Sequence, residues 1–414
     1  MRMKRRDFLK LSAAGAAGLT LVSVGAHGWA AQNRSGATQR LVVVFLRGAV
    51  DGLNVVVPYG DAAYYEMRPT IAIARPGTEG GALGLDGHFG LHPALSPLMP
   101  MWKEHSLAFI HASGSPDETR SHFDAQDYME SGTPGIKSTV DGWMNRLLAE
   151  LPGPRRSTDA VNFGPVMPRI LSGKIDVASV ASGRAAGKPM VLDRPVVEAA
   201  FDSMYAGTDN LSRAYREGQT ARKQIMTDLK QEMMAADNGA PSPAGFPDDT
   251  ARLADLIRKD ANVELAFFGL GGWDTHVNQG SAKGQLANHL TQLAEGLAAL
   301  RTGLGDSWRD TVVIVMSEFG RTAHENGNGG TDHGHGNVMW VMGGPIAGGK
   351  VYGRWPGLDE EELHEGRDLA VTTDFRSTIA AILVDHMGLG AASIARVFPD
   401  APLDGTNVKG LASA

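Results

Sequence analysis

The run Leu41-Val42-Val43-Val44-Phe45-Leu46, closed by Arg47-Gly48-Ala49-Val50-Asp51-Gly52, decides the fold. Six consecutive apolar residues without a polar alternate predict a strand covered on both faces, the environment of a parallel sheet. The same grammar, an apolar run ending in a polar, glycine-bearing turn, recurs along the chain. It recurs at Ser106–His111, at Val263–Phe268 before Gly272-Trp273-Asp274-Thr275-His276, and at Thr311–Met316 before Ser317-Glu318-Phe319-Gly320-Arg321. Val338–Met342 reads as a further short strand. Helical spacing follows Ser121, with Phe123, Ala125, Tyr128 and Met129 as a buried stripe, and fills Gly284–Thr302 and Asp374–Met387, the last capped by Thr372 or Thr373. Strand, polar turn and helix in repetition predict an α/β fold, a three-layer sandwich around a mostly parallel central sheet.

The stretch from about 152 to 249 differs in composition. It is rich in Arg, Ala and Met, contains a long helical segment at Leu211–Ala236 and a Pro/Gly loop at Asn238–Pro247, and reads as a helical insertion in a domain spanning 41–410.

Composition narrows the chemistry. The 414 residues include no cysteine, which excludes thiol nucleophiles, thiolate zinc sites, iron–sulfur clusters and disulfides. The formal charge is −7 even with a basic N-terminus, where Arg2, Lys4, Arg5, Arg6 and Lys10 face only Asp7. The remainder is therefore more acidic still, which argues against a nucleic-acid partner or an anionic membrane surface. Residues 1–31 carry paired arginines, Phe8, a mild apolar stretch to about Ala26 and small residues up to Ala31. This resembles a twin-arginine signal peptide, and predicts export through that translocase to the periplasm or beyond, with no stable membrane insertion after processing.

Open α/β sheets build their sites beyond the carboxyl ends of the strands. There lie Asp51, then Asp274 and His276, then Glu318, with Asp332, His333 and His335 in the following glycine-rich loop. Carboxylates mixed with imidazoles suit one or two divalent ions: zinc, manganese, magnesium or calcium, with iron also admissible. Ser121, at a predicted helix start, offers a hydroxyl where backbone N–H groups favour developing negative charge. Arg120 or Arg47 could clamp the oxygens of an anionic ester. Thr119, Ser113 and Ser115 are competing hydroxyls.

Taken together, VVVFLRGAVDGLNVVVPYGD, FGLHPAL, RSHFDAQDYMESG, GWDTH, SEFGRT, GTDHGHGN and VTTDFR resemble domain-of-unknown-function family 1501 across about Leu41–Phe398. That family in turn is similar to the alkaline phosphatase and sulfatase superfamily of metallohydrolases. The resemblance implies that Asp51 matches the superfamily's first-strand carboxylate ligand, Ser121 its nucleophile, Asp274 and His276 a later ligand pair, and His333 or His335 the distal histidine. Two departures stand out: the Asp274/His276 spacing is tight, and Ser317-Glu318 stands where the superfamily carries Asp-His. Without cysteine no formylglycine can be made from one, which disfavours the usual sulfatase chemistry.

The function expected on these grounds is an exported metal-dependent hydrolase of phosphate or sulfate esters, acting on a small anionic ester or a sulfated or phosphorylated glycan. The alternatives are a non-catalytic periplasmic binding or assembly protein on a hydrolase-like scaffold, and a redox metalloprotein. The resemblance also implies an exported partner protein.

Overall fold

The computed structural model describes residues 38–412 except 165, 181–244 and 402. The central sheet has nine strands: β1 (Arg40–Leu46), β2 (Leu107–Gly114), β3 (Ala160–Phe163), β4 (Ala178–Val180), β5 (Leu265–Leu270), β6 (Thr311–Ser317), β7 (Asn337–Gly343), β8 (Lys350–Tyr352) and β9 (Thr373–Asp374). Their spatial order is β8-β2-β7-β6-β1-β5-β3-β4, with β9 paired to β2. All run parallel except β7, which is antiparallel to both its neighbours, β2 and β6.

β1 lies in the middle, with Leu41 opposite Leu265 on one side and Val312 on the other. All seven of its residues are buried. Val42, Val44 and Leu46 point into one apolar layer; Leu41, Val43 and Phe45 point into the other. After the opening Arg40 every position of this central strand is apolar, since each such side chain contributes about 1.5–3 kcal/mol when removed from water.

Helices cover both faces. On one side Leu253 and Ile257 of α3 (Phe246–Lys259) and Leu286, Leu290, Leu293 and Leu297 of α4 (Gln285–Leu304) meet the sheet. On the other, Leu147 and Leu148 of α2 (Trp143–Glu150), Ile379 and Leu383 of α5 (Phe375–Asp385), and Ile394 and Val397 of α6 (Ala391–Val397) do the same. The three-layer α/β reading is therefore correct.

Three local expectations change. The sheet continues into the stretch read as a helical insertion, because β3 and β4 extend it beyond β5. The Leu211–Ala236 helix lies outside the described residues, whereas Phe246 and Pro247 open α3 rather than close a loop. The cap of α5 is Asp374, not a threonine: its carboxylate accepts from the Arg376 N–H at 2.9 Å. Among the described residues no helix is long and apolar enough to cross a membrane.

Candidate metal centre

The exits of β1, β2, β5 and β6 share one edge of the sheet because these strands are parallel. The loop before β7 reaches that edge too, since an antiparallel strand begins where its neighbours end. Chain segments around residues 48, 122, 274, 318 and 333 are brought together this way. Gly48 makes the closest approach possible. It has φ of +111°, and a Cβ there would lie 2.7 Å from the Asp274 backbone nitrogen.

One donor atom each from His122, Asp274 and His333 lies within 4.8 Å of the others. The His122 and His333 Nε2 atoms are 3.0 Å apart. Asp274 Oδ1 is 3.6 Å from the first and 3.7 Å from the second. The opposite ring nitrogens are already committed. His333 Nδ1 is 2.8 Å from the Arg120 carbonyl, which can only accept, so Nδ1 carries the proton. His122 Nδ1 is 2.8 Å from Glu318 Oε1. Burial pushes the Glu318 carboxyl up, but the His122 and Gln126 side chains and the Gly48 N–H outweigh it and leave the group below its usual value. Ionised Glu318 must accept as well, so His122 too is protonated at Nδ1.

Both Nε2 atoms thus present lone pairs to one another across a hydrogen-bond distance. Such lone pairs repel unless a proton or a cation lies between them. Burial lowers the His333 ring's affinity for a proton, and the charges of Arg321 and the neighbouring imidazoles lower it further, only partly offset by the Arg120 carbonyl. Two imidazoles and a carboxylate, each imidazole held from behind by an acceptor, form a group whose chemistry could hold a divalent transition metal.

Asp274 is supported from the side. Arg321, 1% exposed, donates to Oδ1 at 2.5 Å, and His276 Nδ1 approaches the same oxygen at 2.8 Å. Burial raises the carboxyl, but the Arg321 hydrogen bond and charge, with His276 and His122, more than offset this and hold it below its ordinary range. Arg321 also binds the Gly48, Ala49, Trp273 and Thr331 carbonyls. It ties three loops together.

The other predicted residues are placed as follows. Asp51 is not gathered with this group. It is fully buried, with Oδ2 held by Arg68 at 2.6 Å and by Gln279 at 2.6 Å, so its charge is already neutralised, although Oδ1 has no hydrogen-bond partner. Glu318 backs His122 instead of standing among the donors. Exposed Asp332 accepts from Asn326 at 2.9 Å, and the His335 ring lies tilted against that of His364 with centroids 4.5 Å apart. His276 sits at the rim, T-shaped to His333 at 4.8 Å between centroids. Arg120 is engaged by Asp368 at 2.8 Å and Glu365 at 2.5 Å, and Arg47 by Gln126 and Glu130, both at 2.5 Å. Ser121 is the exposed N-cap of α1 (His122–Ser131), with a long 3.4 Å bond from the Asp124 N–H. His122, one residue beyond it, was not among the predicted ligands. A histidine at the first position of a helix that leaves a strand edge was the available signal.

Residues 38–398 match the family described as "Protein of unknown function (DUF1501)". The chain belongs to that family. No curated protein matches it. Among solved structures, it is similar to a protein in the alkaline phosphatase superfamily from Vibrio parahaemolyticus, at 11% identity and a TM-score of 0.35, over 85% of this chain and 72% of that one. It is also similar to the alkaline phosphatase of the Antarctic bacterium TAB5, at 11% identity and a TM-score of 0.33, over 75% of this chain and 93% of that one. A third is the C-terminal periplasmic domain of EcEptC from Escherichia coli, in complex with Zn, at 9% identity and a TM-score of 0.35, over 75% and 74%.

Proposed function

We propose that this DUF1501 protein is an exported, metal-dependent hydrolase of phosphate or sulfate esters. One observation carries the reading: the facing Nε2 atoms of His122 and His333, 3.0 Å apart beside Asp274, each fixed in tautomer by an acceptor behind it. A zinc or manganese ion held by these three residues would supply Lewis acidity toward an ester oxygen. His276 steadies Asp274 and lends a third imidazole at the rim. Ser121, exposed and only weakly held at the start of α1, is the hydroxyl offered as nucleophile, with the α1 N–H groups favouring charge as it develops. Export rests on the sequence from Lys4 to Ala31, and the acidic remainder agrees with an anionic ester reaching only a locally positive site.

The test is elemental analysis of the purified chain together with turnover of aryl phosphate and aryl sulfate esters. Bound metal near one equivalent, lost in His122→Ala, with turnover reduced by about two or three orders of magnitude in Ser121→Ala, is expected. No metal and no turnover would remove the proposal. A second reading, a non-catalytic binding or assembly protein on this scaffold, is favoured by the Arg68–Asp51 pair, which occupies the carboxylate that a second metal would need. Retained metal without turnover of either ester would select it.

A further inference from the structure

Beside the metal donors lies a cleft of about 420 Å³ that no step above uses. Its size falls within the usual range for small-molecule sites. Helix α1 builds both places: His122 belongs to the donor group, while Phe123, Gln126 and Asp127 wall the cleft. They also share a hydrogen-bonded chain. Arg47 donates to Gln126, Gln126 donates to Glu318 at 2.9 Å, and Glu318 accepts from His122.

The lining has two properties that decide its occupant. Its charges cancel, for Arg47 pairs with Glu130 at 2.5 Å and Arg169 with Asp127 at 3.5 Å, so no surplus charge calls for an ion. Its apolar part is displayed, not buried: Phe123 is 84% and Val166 69% exposed at the mouth. Phe123 was expected in the buried stripe of its helix, yet Ala125, Tyr128 and Met129 alone fill that stripe. A purely apolar ligand would strip water from the guanidinium, amide and carboxylate groups and return nothing. An ion would find its countercharge already taken. A neutral sugar ring satisfies both, with its C–H face on the phenyl ring and its hydroxyls toward Gln126, Asp127 and Arg169.

We propose that this cleft binds a neutral pyranose of a glycan whose ester group reaches the metal donors. The inference deepens the ester-hydrolase reading and rests on it for the second half only. The experiment is calorimetric titration of the intact protein with cellobiose, lactose and maltose, with and without a chelator. At least one disaccharide should bind more tightly than about 10 mM, unaffected by chelation and not displaced by inorganic phosphate. Phe123→Ala should weaken it about tenfold with an unchanged melting temperature, because the side chain packs against nothing it would destabilise. No binding by any of the three, displacement by phosphate, or indifference to Phe123→Ala would overturn the proposal. Sugar binding without ester turnover would instead count against the hydrolase reading.

Discussion

Glu318 shows how much a residue's meaning depends on what faces it. As sequence it is a carboxylate at a strand end, equally suited to holding a metal and to holding an arginine. In the structure it is fully buried and orients His122, so its loss acts through the histidine. Glu318→Gln should weaken zinc binding about 10- to 100-fold in a competition titration, while the chain stays folded. Asp51→Asn should leave zinc affinity unchanged, whereas Arg68→Ala, which strands a buried carboxylate, should cost about 3–5 kcal/mol in denaturant unfolding. Asp274 and His333, which the structure brings together with His122, stood out in the sequence because strand-end Asp and glycine-flanked His have little packing value. Asp51 was not: nothing in the sequence announces that Arg68, seventeen residues on, folds back onto it. His122 was overlooked because Ser121 before it explained itself as a cap.

At the scale of elements, the apolar runs announced their strands to within a few residues, since full burial on two faces leaves no room for polar substitution. The short strands β3, β4, β8 and β9 were harder, having two to four residues each and therefore almost no period to read. What brings His122, Asp274 and His333 together is the turns between elements. The turn at Gly48 crowds the Asp274 loop, and Gly334 presses on the Arg321 carbonyl, where a Cβ would lie 2.5 Å from the oxygen. Gly48→Ala should strain a positive-φ position and push the Asp274 loop away. We expect a loss of about 1–3 kcal/mol in stability and a measurable drop in zinc affinity. Unchanged affinity would mean that the loop tolerates the displacement.

At the scale of the whole molecule, the fully buried histidines His92 and His111 tie stability to pH. In both, Nε2 donates to a carbonyl and Nδ1 accepts a backbone N–H: His92 between Ser281 O and Ala94 N, His111 between Val56 O and Ala112 N. Burial, only partly offset by these carbonyls, lowers each from 6.5 to about 4. Between those values the unfolded chain binds more protons than the folded one. Stability therefore rises with pH across the window and is lost as pH falls through it, by up to about 1.4 kcal/mol per unit for each ring. Denaturant unfolding in that window should show a shallower slope for His111→Gln than for the parent; equal slopes would contradict the assignment. The central place of β1 has a further consequence, for biosynthesis. Its two flanking partners are residues 265–270 and 311–317, so a segment made among the first fifty residues stays without either until the ribosome has passed them. At about 5–20 residues per second that delay is on the order of tens of seconds. During it a continuous greasy ribbon must be kept from sticking to its neighbours, a natural task for a holding chaperone.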